Sequence, residues 1–237
     1  MRSSRSVPDP LDPGPAGFAH RGLHAPGVPE NSMTAFRAAI EADAGIECDV
    51  RLSADDVPMI FHDADLERLC GDAGTVERSS AATLAGKRLL GTADTIPRLA
   101  DLLILARGRV PLLFECKTRG NAARLAAAVC RTLGARPGAF GVMSFDPRIG
   151  AWLARHRADC RRGLVMDGND AALVRWAKMA RARPAFLAIG VGWLDRRCVQ
   201  RVRRMMPVYS WTVRSAANRA QVDRFADTAI WEADGRP

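Results

Sequence analysis

Glu47-Cys48-Asp49 and Glu115-Cys116-Lys117 are the segments of this 237-residue chain whose residue types and spacing point most directly to chemistry. Side chains alternate along an extended strand, so Glu47 and Asp49 share one face while Cys48 turns to the other. Like charges buried on one face are costly unless something compensates them. A divalent cation is the usual compensation, and Glu115 on the next long strand supplies a third carboxylate. Oxygen donors suit a hard cation, Mg²⁺ or Ca²⁺, with waters and substrate oxygens completing the shell. The simpler alternative is that Lys117 pairs with Glu47 or Asp49.

Four histidines exist in the chain. His20 and His62 end extended pieces beside the acidic cluster, whereas His24 falls in a loop and His156 in a surface helix. Two imidazoles around a metal-bound anion suggest an acid and a base for displacement at phosphorus. Taken alone, His20 reads as well as a satisfied structural residue. In the same way, Asn31 or Ser32 could simply cap a helix, with Glu30 favourable near its N-terminus.

The elements that must hold these residues alternate short apolar runs with helical-period segments, the pattern of βα units around a parallel sheet. Eight strands are expected, over 17–21, 45–52, 110–117, 140–145, 162–166, 186–191, 208–212 and 228–232, with a short extended piece at 58–62. Helices are expected at 32–42, 96–106, 122–133, 147–157, 171–182, 195–204 and 215–226. This suits a (β/α)₈ TIM barrel with a short irregular insertion over about 65–95, rich in Gly, Asp, Ser and Thr. A doubly wound open sheet is the alternative. Residues 17–237 form one expected domain, and 1–16 read as a flexible, proline-rich tail.

Composition bounds the function. The chain is 48% hydrophobic and 26% charged, and it has no run near the roughly 18 apolar residues of a spanning helix. The 35 Lys and Arg exceed the 26 Asp and Glu by 9. Nearly all the bases are arginines, scattered and without interleaved aromatics, which argues against nucleic acid and leaves transient contact with an anionic membrane surface. Six cysteines show no zinc spacing and read as free thiols of a reducing, cytoplasmic compartment. Where a secretory signal would need an apolar stretch, the N-terminus has prolines and aspartates, so export is not expected.

In order, the motifs are His20-Arg21-Gly22, Pro29-Glu30-Asn31-Ser32, Glu47-x-Asp49-Val50, Pro58, His62-Asp63, Glu115-x-Lys117 and Trp211-Thr212-Val213. That series, from Phe18 to about Val213, resembles the glycerophosphodiester phosphodiesterase family. Asp65 to Arg68, Ile96-Pro97-Arg98-Leu99 and Ser144-Phe145-Asp146 add to the likeness. The resemblance implies a TIM-barrel enzyme that hydrolyses glycerophosphodiesters to glycerol 3-phosphate and an alcohol with one divalent cation. It implies His20 and His62 as acid and base, Glu47, Asp49 and Glu115 as metal ligands, and Arg21 and Lys117 on the phosphate. Trp211, ending the seventh strand, would wall the substrate or simply pack in the core.

Two departures stand out. The last strand reads Ile230-Trp231-Glu232-Ala233-Asp234 where many relatives carry a Thr-Asp-x-Pro-like ending, and the 65–95 excursion is short. Lysophospholipase D-like activity on lysolipids is a second reading, although no strongly apolar loop stands near the motifs. A catalytically silent barrel that binds phosphate esters is a third.

Overall fold

A computed structural model describes residues 9, 11–134 and 139–237. The strands are β1 Phe18–His20, β2 Gly45–Leu52, β3 Pro58–Ile60, β4 Leu112–Cys116, β5 Phe140–Ser144, β6 Arg161–Met166, β7 Phe186–Gly190, β8 Val208–Val213 and β9 Thr228–Trp231. All but β3 are parallel, and β1 pairs with both β2 and β9, so eight strands close into a barrel. Closure excludes the open sheet. The strand runs are almost continuously apolar because helices cover their outer faces and side chains fill the interior.

Nine α-helices accompany them among the described residues: α1 Met33–Glu41, α2 Glu67–Cys70, α3 Ala81–Ala85, α4 Leu99–Ala106, α5 Ala122–Leu133, α6 Pro147–His156, α7 Ala172–Ala182, α8 Arg197–Arg203 and α9 Ala216–Phe225. Local chemistry sets several starts. The side chains of Ser32, Asn121, Asp146 and Ser215 each accept a backbone N–H of the first turn, and Pro147 opens α6 where its missing N–H costs nothing. The helix expected from residue 96 begins at Leu99 instead. Ile96 precedes a proline and stays extended, and the Pro97 carbonyl accepts the Ile60 N–H at 2.8 Å.

Three apolar clusters support the site. One lies between strands and helices, and a second fills the barrel with Phe18, Leu113, Met143, Val165, Phe186, Tyr209 and Ile230. The third belongs to the 65–95 excursion, which follows β3, an antiparallel strand on the edge of β2. There Leu66, Leu69, Val76 and Leu84 pack on Met59 and Phe61, giving the excursion its own base.

Of the tail expected over 1–16, residues 1–8 and 10 lie outside the described residues. Leu11 is buried in the barrel interior, and the Asp9 carboxylate accepts hydrogen bonds from Arg161 (2.6 Å) and the Tyr209 hydroxyl (2.8 Å). Among the described residues no helix is long and apolar enough to cross a membrane.

Candidate active site

Strand register assembles the acidic cluster. His20 lies beside Glu47 across β1 and β2, and Asp49 beside Glu115 across β2 and β4. The two-residue period turns these four inward at the carboxyl ends of the strands, while Cys48 and Cys116 pack outward beneath the helices. Carboxylate oxygens of Glu47, Asp49 and Glu115 lie within 4.8 Å of one another, all on buried residues.

The chain leaves β1 through left-handed backbone, with φ 57° at Arg21 and 80° at Gly22. A Cβ on Gly22 would also stand 2.9 Å from the Ala35 Cβ, so both space and conformation call for glycine. The turn carries Arg21 back over the mouth. Its backbone N–H donates to Glu47 Oε2 (3.1 Å), its Nε lies 3.3 Å from Asp49 Oδ2, and its Nη1 donates to Glu30 Oε1 (2.7 Å). Asn31 adds a donor to Asp49 Oδ2 at 2.9 Å. Lys117 Nζ stands 3.2 Å from Asp49 and 2.8 Å from Glu115.

Burial opposes ionisation of all three carboxyls, and the neighbouring charges then separate them. At Asp49 burial is outweighed by Lys117 and Arg21, which hold the group at about 2. Burial, with Asp49 and Glu115 alongside, pushes Glu47 well above the usual carboxylate range, and burial raises Glu115 despite Lys117. Glu47 Oε1 is buried with no hydrogen-bond partner. Asp49 Oδ1 and Glu115 Oε1 likewise lack hydrogen-bond partners among the described residues and face Lys117, and an all-oxygen donor set with three such oxygens and two carboxyls held back from ionising fits a hard divalent cation.

The histidines flank this cluster. His20 Nδ1 is 2.6 Å from Glu232 Oε2, and its Nε2 faces Glu47 Oε2 at 4.0 Å. His62 Nδ1 is 2.7 Å from Asp63 Oδ1, and Arg51 Nε donates to the His62 carbonyl at 2.8 Å. Burial lowers both imidazoles, outweighing the carboxylates near them. Asp63 is braced by Arg68 Nε (2.6 Å), and the other Arg68 nitrogens reach Glu30 at 2.7 and 3.1 Å.

The structure thus brings together His20, Arg21, Glu47, Asp49, Glu115 and Lys117, with His62 close enough to feel Asp49. Trp211 is partly buried and meets Phe145 edge-on at 5.5 Å. A cavity of about 230 Å³ opens beside Lys117, lined also by Ser53, Glu77, Thr118, Asn121 and Arg124. Sequence reasoning missed the bonding of Glu232 and the place of His24, whose Nε2 is 3.5 Å from the same carboxylate. Only the unusual last-strand ending marked that region.

A family model described as the glycerophosphoryl diester phosphodiesterase family matches residues 20–231. Glycerophosphodiester phosphodiesterase domain-containing protein 4 of Macaca fascicularis is 51% identical over 59 residues, 24% of this chain and 9% of that protein. A glycerophosphodiester phosphodiesterase of Bacillus altitudinis is 43% identical over 112 residues, 44% of this chain and 45% of that one. The matched segments therefore span less than half of either relative. A phosphodiesterase from Oleispira antarctica, solved with sn-glycerol-3-phosphate, superposes with a TM-score of 0.82 over 92% of each chain at 22% identity, a likeness of fold.

Proposed function

This chain belongs to the glycerophosphoryl diester phosphodiesterase family, and we propose that it hydrolyses glycerophosphodiesters to glycerol 3-phosphate and an alcohol. The observation that carries the reading is a buried cluster of three carboxylates with His20 on one side and His62 on the other. Glu47, Asp49 and Glu115 would hold one divalent cation, Mg²⁺ or Ca²⁺, which when bound supplies electrophilic activation of the phosphoryl group. Arg21 and Lys117 would bind the anionic diester and offset the charge gained in the five-coordinate transition state.

In each histidine Nδ1 is engaged by a carboxylate, which leaves Nε2 to exchange protons. One Nε2 would take the proton of the attacking oxygen and the other would protonate the leaving oxygen. The cavity beside Lys117 has room for one arm of the ester, and Trp211 would bound the other side. Residues 17–237 would act as one catalytic domain. The six free cysteines suit a cytoplasmic setting.

Release of glycerol 3-phosphate from glycerophosphocholine and glycerophosphoethanolamine, with Mg²⁺, Ca²⁺ or EDTA, tests this reading. Turnover that EDTA abolishes is expected; no turnover under any condition would overturn it.

A second reading, lysolipid hydrolysis after transient contact with an anionic membrane, has one observation in its favour. All the parallel strands point their carboxyl ends at the mouth, so α7, following β6, starts on its rim. Its first turns expose Leu173 (76%), Val174 (43%) and Trp176 (69%). Turnover of lysophosphatidylcholine that falls on Trp176→Ser, while glycerophosphocholine turnover holds, would support it. Absence of any lysolipid turnover would remove it.

A further inference from the structure

We infer that Glu232 is the positioning residue for His20: by accepting the Nδ1 proton it orients the ring and leaves Nε2 as the nitrogen that exchanges a proton at phosphorus. This rests on the proposed reaction, yet it concerns a residue one position beyond the segment that the family model matches.

Barrel closure explains how residues 212 apart in sequence meet. The last strand lies beside the first, with Ala19 level with Trp231, so the residue after β9 arrives next to His20. Glu232 is then fixed by its backbone. Its N–H donates to the Val213 carbonyl at 3.0 Å, and its carbonyl accepts the Gly235 N–H at 3.0 Å in the 3-10 turn Ala233–Gly235. The side chain is tied at both oxygens. Oε2 takes His20 Nδ1 at 2.6 Å with His24 Nε2 at 3.5 Å, and Oε1 takes Arg214 Nε at 2.5 Å.

Two hydrogen-bond donors, His20 and Arg214, keep this carboxylate ionised, with His24 Nε2 nearby. Burial opposes this, but the hydrogen bonds from His20 and Arg214, with the imidazole of His24 close by, prevail and hold the group far below the usual carboxylate range. The proton inventory follows. In the resting neutral ring Nδ1 carries the hydrogen, Nε2 gains one proton and later gives one up, and Glu232 never takes a proton.

Arg214 makes the assignment testable. In Glu232→Gln the amide oxygen is drawn to Arg214 Nε, which turns the amide NH₂ toward His20 Nδ1. That nitrogen must then accept, so the hydrogen moves to Nε2 and the ring cannot act as a base. Removing Arg214 as well frees the amide to rotate and offer its oxygen to His20 again.

The experiment measures kcat and KM on glycerophosphocholine for wild type, Glu232→Gln, Glu232→Asp and Glu232→Gln with Arg214→Ala, alongside ¹⁵N NMR of histidine at pH 8. The Gln variant is expected to lose about 100-fold in kcat with little change in KM, within the range for a general acid–base group. The double variant should regain about tenfold over Glu232→Gln, and Glu232→Asp should keep more activity than Gln. His20 should carry its hydrogen on Nδ1 in wild type and on Nε2 in the Gln variant.

Loss of a merely structural carboxylate gives no recovery on removing Arg214. A kcat for Glu232→Gln within about threefold of wild type, or an active wild type with the His20 hydrogen on Nε2, would overturn the assignment. A wild type that turns over no glycerophosphodiester, yet shows Nδ1–H at His20 and the switch in Glu232→Gln, would instead overturn the proposed reaction and keep the geometry.

Discussion

His62 and its carboxylate are neighbours in sequence, whereas His20 and its carboxylate come from opposite ends of the chain, brought together where β9 closes on β1. The bonding is nonetheless the same at both histidines: ring Nδ1 to carboxylate at 2.7 or 2.6 Å, and carboxylate to an arginine Nε at 2.6 or 2.5 Å. What differs is access to water. The His62 side chain is 30% exposed and His20 only 11%. The carboxylates are about equally sheltered and both arginines are exposed, so the difference between the two sides lies in the ring itself: solvent reaches His62 more readily than His20.

The largest expected effects test whether the two rings share one reaction. His20→Ala and His62→Ala should each lower kcat by about 10³-fold, and the double variant should fall by far less than the product, as for groups that act as a unit. Steady-state kinetics on folded protein checks this, and a mild loss at His62 alone would break the symmetry. Next comes the braces. Asp63→Asn should cost about tenfold in kcat, less than Glu232→Gln, because water can serve the more open His62. Equal losses would show that exposure does not separate the two sides.

Arg68 bridges Asp63 to Glu30, and Glu30 in turn holds Arg21. Arg68→Ala should therefore raise KM roughly fivefold, the effect of about 1 kcal/mol from a partly exposed ionic network. No counterpart is expected from Arg214→Ala, since Glu232 does not touch the proposed phosphate ligands.

The smallest effect is on stability. In EDTA at pH 7, Glu47→Gln should raise Tm by about 2–4 °C, the shift that about 1 kcal/mol produces in a chain of this size. The sign follows from its raised folded-state pKa. Below the ordinary carboxylate value both states hold the proton and the charge costs nothing. The cost grows as pH rises through that value and is complete above the folded-state pKa, so the gain should fade toward acid pH. Added Mg²⁺ should raise the wild-type Tm but not that of the variant. Scanning calorimetry reads all three.

The barrel and the acidic cluster were legible because each depends on local pattern. A two-residue period in 47–49 and 115–117 already puts Glu47 with Asp49, and Glu115 with Lys117, on one face, and parallel register needs only that β2 and β4 be neighbours. Arg21 and Lys117 came with the motifs that contain them. Glu232 did not, since nothing near it in sequence signals a histidine 212 residues away. Arg68 was visible in its motif, but not its span to Glu30, because the path of the 65–95 excursion depends on an apolar base whose packing leaves no simple period. The start of α4 was misplaced by the same kind of blindness: Pro97 joins β3 through its carbonyl, and that pairing is tertiary.

Leu11 and Asp9 lie at the end of the barrel away from all this chemistry. Leu11 is 1% exposed among the interior side chains, and the Asp9 carboxylate ties Arg161 to the buried Tyr209 hydroxyl. Leu11 and Asp9 thus form part of a floor at the amino ends of the strands. The proposed chemistry and this floor sit at opposite ends of one tube, and damage to the floor should shorten the protein's working life without altering what each intact molecule does per second.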